Sequence, residues 1–157
     1  MPAPTRFIVA YAATLGTMVA LDLLWLGVIG KPIYQRGIGH LMAEQPNIAV
    51  ALVFYAIFAL GLMVFAVAPG GSAGGWGKTA GTAALFGFFA YATYDLTNLA
   101  TLRGWPVGVS VLDMAWGTGV SAVAALAGRA ALERFMPIRL TPNDTTHGGY
   151  GFAGAVG

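Results

Sequence analysis

The sequence has no cysteine, and charged residues make up only 9% of its 157 positions. The absence of cysteine excludes disulfides, thiolate metal sites and cysteine nucleophiles, although it says nothing about the redox compartment. Soluble domains carry about 25% charged residues, so this small charged fraction excludes an ordinary soluble surface. The few basic residues form no cluster with interleaved aromatic residues, and we therefore expect no nucleic-acid partner.

Hydrophobic residues, in contrast, make up 57% of the chain, and the mean hydropathy is +0.72. About 20 consecutive apolar residues cross a bilayer as a helix, and four stretches of that length fit the sequence. A membrane-spanning barrel would need short segments of alternating polarity, whereas LVFYAIFALGLMVFAVA at residues 52–68 does not alternate. The sequence therefore predicts an all-α integral membrane four-helix bundle with spans at residues 7–29, 47–67, 79–102 and 107–132.

The connections between these spans differ in character. The longest link, residues 31–46, places Arg36, His40 and Glu44 on one helical stripe, with Tyr34, Ile38 and Met42 on another. This pattern predicts a short amphipathic helix on the membrane surface between the first and second spans. We expect residues 1–139 to form a single transmembrane domain, and residues 140–157, which show no periodicity, to form a disordered tail.

The distribution of lysine and arginine predicts the orientation in the membrane. With the N-terminus inside, five basic residues face the cytoplasm and three face outward. Positive residues are enriched in cytoplasmic loops, so both termini are expected in the cytoplasm. The inner residues are Arg6, Lys78, Arg129, Arg134 and Arg139, and the outer ones are Lys31, Arg36 and Arg103.

Three of the six acidic residues, Asp22, Asp95 and Asp113, fall within predicted spans. A charged residue at mid-bilayer costs about 2.5 to 3.5 kcal/mol on insertion scales, so three in one small protein require a reason. At about 1.5 Å per helical residue, each lies about 10 Å below the outer surface. The sequence thus predicts a three-aspartate site near the outer face, with Asp95 at its centre.

Other residues on the same helical faces complete the predicted site. Trp25 and Trp116 follow Asp22 and Asp113 in two D-x-x-W patterns, which set an indole one turn from each carboxylate. The remaining candidates are Tyr94 and Asn98, on the stripe of Asp95, and His40, which we expect to bend over the opening as a proton donor. Glycines and other small residues on the third and fourth spans, including the GxxxG of Gly77 and Gly81, allow close helix packing.

The chain from residue 7 to about residue 128 resembles a family of bacterial integral-membrane proteins, domain of unknown function 2177. The resemblance rests on LDLLWLG at residues 21–27, the segment 34–40 with its GH pair, GFFAYATYDLTNLATLRGWP at 87–106, and DMAWG at 113–117. It implies a four-span protein of the bacterial cytoplasmic membrane, and it implies no particular activity, cofactor or substrate.

Three carboxylates close together in low dielectric cannot all ionise, so the site is expected to hold a proton, a cation or a ligand with a basic group. The spacing is not a metal motif, so no metal ligand is predicted, and the sequence names no cofactor. The leading hypothesis is a binding or transport protein rather than an enzyme. The alternatives are an accessory subunit of a homo-oligomer or larger membrane complex, an enzyme acting on a lipid-like substrate, and aspartates that only form hydrogen bonds between helices.

Overall fold

The computed structural model describes residues 3–135, without the side chains of residues 3 and 71–73. The predicted tail at residues 140–157 lies outside the described residues. All secondary structure in the described part is helical, which confirms the predicted all-α class. The helices are α1 (Ala3–Leu24), extended by a π-helical turn (Trp25–Ile29); α2 (Lys31–Ile38), followed by a 3-10 turn (Gly39–Leu41); α3 (Ile48–Leu62), extended by a second π-helical turn (Met63–Val67); α4 (Ala68–Ala73); α5 (Trp76–Thr101); and α6 (Val107–Arg134).

Three helical segments in the described part are long and apolar enough to cross a membrane: Pro4–Ile29, Ile48–Gly70 and Val107–Arg134. They match the first, second and fourth predicted spans. The third predicted span, residues 79–102, corresponds to α5, which has 26 residues but is not among the three. Polar residues such as Lys78 and Asp95 lower its hydropathy.

Large apolar side chains cover much of the helical surface. Soluble proteins rarely expose contiguous apolar surface on this scale, which indicates contact with lipid. The densest set lies on α3 and its extension and consists of Ile48, Val50, Leu52, Val53, Phe54, Ile57, Leu60, Val64 and Phe65.

Helix α6 packs against both α1 and α5, and glycines make these contacts close. A Cβ atom on Gly87 of α5 would lie 2.3 Å from the carbonyl oxygen of Gly117 in α6. One on Gly128 of α6 would lie 1.9 Å from the Thr14 hydroxyl oxygen in α1. The predicted small-residue packing on α6 is therefore present, whereas Gly77 and Gly81 have open space beside them.

The first link, where a surface helix is predicted, contains α2, and this helix packs onto the long helices. A Cβ atom on Gly37 would lie 2.8 Å from Val109 Cγ2 and 3.1 Å from Pro106 Cγ, so only a glycine lets α2 sit this closely on the start of α6. Tyr34, one turn earlier on α2, is buried, with 7% of its surface exposed. Helix α2 thus inserts a side chain between the long helices.

At the opposite end of the bundle, Arg129 of α6 holds the α4–α5 connection. Its Nη1 donates to the Gly74 carbonyl oxygen at 2.8 Å and to the Thr79 hydroxyl at 2.9 Å. Its Nε donates to Glu133 Oε1 at 2.6 Å, and the guanidinium lies 5.0 Å from the centre of the Trp76 ring. These contacts hold the start of α5 against the last turns of α6.

Candidate ligand-binding site

A cavity of about 540 Å³ lies at the α2 end of the bundle, among α1, α2, α3, α5 and α6. Its volume falls within the range of small-molecule sites, about 300 to 1,000 Å³. Most of the lining is aromatic or aliphatic, with a small polar set. The rings are Trp25, Phe54, Tyr55, Phe58, Tyr91, Tyr94 and Trp116, and the polar set is Asp22, Lys31, Tyr34 and Asp113.

The two D-x-x-W patterns meet across the interface of α1 and α6. Trp116 Nε1 donates to Asp22 Oδ1 at 2.7 Å, so the indole of one pattern binds the carboxylate of the other. The reciprocal connection passes through α2, because Trp25 Nε1 donates to the Tyr34 hydroxyl at 3.1 Å and that hydroxyl donates to Asp113 Oδ1. The two indoles stack with ring centres 4.4 Å apart and planes 7° apart.

Local backbone features explain how Trp25 and Tyr34 come together. Helix α1 widens into a π-helical turn at Trp25, where the Gly30 amide donates to the Trp25 carbonyl at 2.6 Å. Such turns are rare and frequently occur at functional sites. A Cβ atom on Gly30 would lie 2.8 Å from Tyr34 Cε2 and 3.1 Å from Trp25 Nε1, so glycine is needed for this contact.

Asp95 is completely buried but is not part of the cavity lining. Neither of its carboxylate oxygens has a hydrogen bond of acceptable geometry, although the Ser110 hydroxyl lies close enough to interact. That hydroxyl already accepts a hydrogen bond from Trp105 Nε1 at 3.0 Å. Asp113 lies within electrostatic range of both Asp95 and Asp22.

The other three predicted site residues have different positions. Tyr94 lines the cavity, and its ring packs edge-on against Trp105 with centres 5.9 Å apart. Asn98 is close enough to interact with the Tyr94 hydroxyl, but it does not line the cavity. His40 is exposed in the 3-10 turn after α2 and does not line the cavity.

Ten lining residues were not predicted as site residues, and four of these carry a polar group: Lys31, Tyr34, Tyr55 and Tyr91. The sequence did contain a signal for one of them, since Tyr34, Ile38 and Met42 share a stripe and all three line the cavity. Tyr55, on a helix whose sequence is otherwise apolar, lies close enough to interact with Asp22. Tyr91 packs its ring over Gly117, where a Cβ atom would lie 2.2 Å from Tyr91 Cδ2.

The two aspartates of the cavity have no cationic partner within the described part of the chain, where the one ion pair is Arg129–Glu133. Lys31, the basic residue of the lining, is exposed at the start of α2. Burial, and then the hydrogen bond to Asp113, raise the pKa of the Tyr34 hydroxyl above its usual value, so Tyr34 remains a donor at neutral pH. No group of three or more histidine, cysteine or acidic residues suited to a metal occurs among residues 3–135.

Comparison with known proteins identifies the family. Residues 7–130 match the model of a family described as predicted membrane protein (DUF2177). The chain therefore belongs to this family, as the sequence resemblance predicts. No curated protein and no solved structure matches the chain.

Proposed function

We propose that this member of the DUF2177 membrane protein family binds a small organic cation in the cavity at the α2 end. The observation that carries the proposal is the cavity itself, which combines two carboxylates from α1 and α6 with eight aromatic rings, that of Tyr34 included. Asp22 and Asp113 supply the negative charge. The rings supply the apolar walls that a small-molecule site needs.

Charge balance favours a cation over an anion. Charged groups buried away from water require a partner, and no basic side chain pairs with Asp22 or Asp113 among the described residues. Each carboxylate already accepts one hydrogen bond, from Trp116 or Tyr34, and an ionised carboxylate has about four acceptor positions. A ligand ammonium can therefore bind both carboxylates without displacing these donors.

The aromatic lining favours an organic cation over a metal ion. Aromatic faces attract cations by about 0.5 to 2 kcal/mol, most strongly where water is excluded. Trp25 and Trp116 form one stacked wall, and Tyr55, Tyr91 and Tyr94 contribute from α3 and α5. A hard metal ion prefers oxygen ligands on most sides, which an apolar lining does not offer.

We also propose that α5 is a fourth span and that both termini face the cytoplasm of a bacterial cell, which places the cavity near the outer face of the inner membrane. Support for α5 comes from its 26-residue length, its packing along α6 and its exposed apolar side chains, Leu85, Phe88, Phe89 and Leu96. Support for the orientation comes from the lysine and arginine distribution.

Assembly into a homo-oligomer or larger complex is a second candidate, and one observation favours it. Gly77 and Gly81 form a GxxxG pattern with open space beside both glycines, so no helix among residues 3–135 packs closely on this motif. Its test is the mass of the purified protein in mild detergent, compared between wild type and Gly81→Leu. A monomeric wild type would contradict assembly through this face.

The ligand hypothesis is tested with choline and its uncharged isostere 3,3-dimethylbutan-1-ol, titrated calorimetrically into the purified protein. We expect choline to bind at least about tenfold more tightly, because only choline carries a charge for the carboxylates. Asp22→Asn and Asp113→Asn should each weaken choline binding by about tenfold or more.

Glu44→Gln is the matched control, because Glu44 is an exposed carboxylate that does not line the cavity. The asparagine variants retain an oxygen that can accept from Trp116 or Tyr34, so folding is checked by their melting temperatures. Equal binding of choline and its isostere would overturn the proposal. So would unchanged choline affinity in both variants.

A further inference from the structure

The cavity opens through apolar residues of two candidate membrane spans. Four lining side chains are about half exposed, Leu26 at 49%, Phe54 at 44%, Met42 at 51% and Tyr94 at 54%, and the first two place one opening of the cavity between candidate spans. Leu26 lies in the segment Pro4–Ile29 and Phe54 in Ile48–Gly70. Their neighbours Leu24, Val53 and Ile57 are also exposed. An opening between such residues faces the hydrocarbon of the bilayer rather than water.

Helix α2 covers another side of the cavity. Tyr34 is buried between Trp25 and Asp113, to which it is joined by hydrogen bonds, and Gly37 sets the same helix tightly against Val109. These contacts hold α2 in place, so that it covers the cavity on the side of Asp113. A ligand that reaches Asp113 past Leu26 and Phe54 therefore approaches from the lipid.

Lys31 adds a positive group to the rim of the cavity. It begins α2, is exposed, and forms no ion pair among the described residues. The site thus presents negative charge inside, positive charge at the rim and apolar surface at the opening.

We propose that the ligand is a zwitterionic membrane lipid, with an ammonium group bound by Asp22 and Asp113, a phosphate bound by Lys31, and an acyl chain that leaves past Leu26 and Phe54. This inference rests on the proposed function, because it names the class of cation that the same carboxylates bind. The order of the three surfaces, anionic, cationic and apolar, matches the order of the three parts of such a lipid.

The experiment compares lipids with identical acyl chains that differ only in the head group. The protein in maltoside detergent is incubated with phosphatidylethanolamine, phosphatidylglycerol or a trimethylammonium diacyl lipid without phosphate, and retained lipid is counted by native mass spectrometry. Wild type should retain phosphatidylethanolamine best, about tenfold over phosphatidylglycerol, since only the former carries both an ammonium and a phosphate.

Two variants separate the roles of the charged groups. Asp113→Asn should reduce retention of both lipids that carry an ammonium by about tenfold. Lys31→Gln should lower retention of phosphatidylethanolamine by about two- to fivefold and leave the trimethylammonium lipid unchanged, because that lipid has no phosphate. Arg36→Gln removes an exposed charge from the same helix outside the cavity and should change neither.

Equal retention of phosphatidylethanolamine and phosphatidylglycerol by wild type would overturn the lipid assignment. An effect of Lys31→Gln equal to that of Arg36→Gln would also overturn it. If either result occurs while choline binding still depends on Asp22 and Asp113, the lipid assignment fails and the cation site remains. Loss of that dependence refutes both.

Discussion

Replacing Gly87 with alanine should separate the two helices that carry the central contact of the bundle. The added Cβ atom would lie 2.3 Å from the Gly117 carbonyl oxygen and 2.3 Å from the Ser121 hydroxyl oxygen. Ordinary contacts of a Cβ atom are 3.4 Å or longer, so α5 and α6 must move apart by about 1 Å. The carbonyl belongs to the backbone of α6 and cannot rotate away as a flexible side chain would.

Gly119→Ala is the matched substitution, because Gly119 lies on the same α6 helix and nothing lies within 4 Å of the position that its added methyl group would take. Both changes gain the same helix propensity of about 1 kcal/mol, which cancels in the comparison. Overpacking at Gly87 costs about 1 to 3 kcal/mol. At about 2 to 4 °C per kcal/mol, Gly87→Ala should melt about 2 to 12 °C below Gly119→Ala.

The assay is thermal unfolding of both variants and wild type in the same detergent, followed by circular dichroism. Gly119→Ala should melt at or above the wild-type temperature. If Gly87→Ala melts as high as Gly119→Ala, then the close approach of α5 and α6 at Gly117 does not exist, and the placement of the cavity between these helices loses its basis.

Three further predictions concern buried polar groups. Tyr34→Phe should lower stability by about 1 to 3 kcal/mol, because Asp113 loses a hydrogen-bond donor. The pKa of Tyr34 is raised in the folded state, so wild type should melt above this variant by the full difference below about pH 10. That difference in melting temperature should shrink as the pH rises further. Asp95→Asn should raise the melting temperature, because it removes a buried carboxylate without hydrogen-bond partners at almost constant volume, and a lower melting temperature would contradict this. Arg129→Gln should lower stability by about 1 to 3 kcal/mol, because it removes the hydrogen bonds to Gly74 and Thr79, whereas Arg134→Gln, which alters an exposed residue, should change melting little.

Helical periodicity is sufficient to predict which faces of α1 and α6 are buried. It assigns Met18 and Asp22 of α1, and Gly117 and Ala124 of α6, to inward stripes, and all four residues are buried in the structure. The spacing of inward residues along a helix depends on that helix alone, so it can be read from the sequence.

Side-chain contacts between helices cannot be predicted from helical periodicity in the same way. The D-x-x-W spacing places an indole one turn from its own carboxylate, but Trp116 binds Asp22 because of the rotation and offset of α1 against α6. The rotation and offset of two helices depend on which glycines face one another, and many helix arrangements would bury the same residues. The position of Tyr34 depends further on how α2 folds back onto α6 through Gly37, which no local pattern specifies.

The crossed pairing of the two D-x-x-W patterns bears on affinity as well as on architecture. Trp116 and Tyr34 hold the Asp22 and Asp113 carboxylates in place before any ligand arrives, and the stacked indoles fix the wall between them. The proposed cation would need no reordering of these side chains, so little of its binding energy would be lost in conformational entropy. The same hydrogen bonds explain why two carboxylates remain inside an apolar bundle, because each has a donor from the helix opposite or from α2.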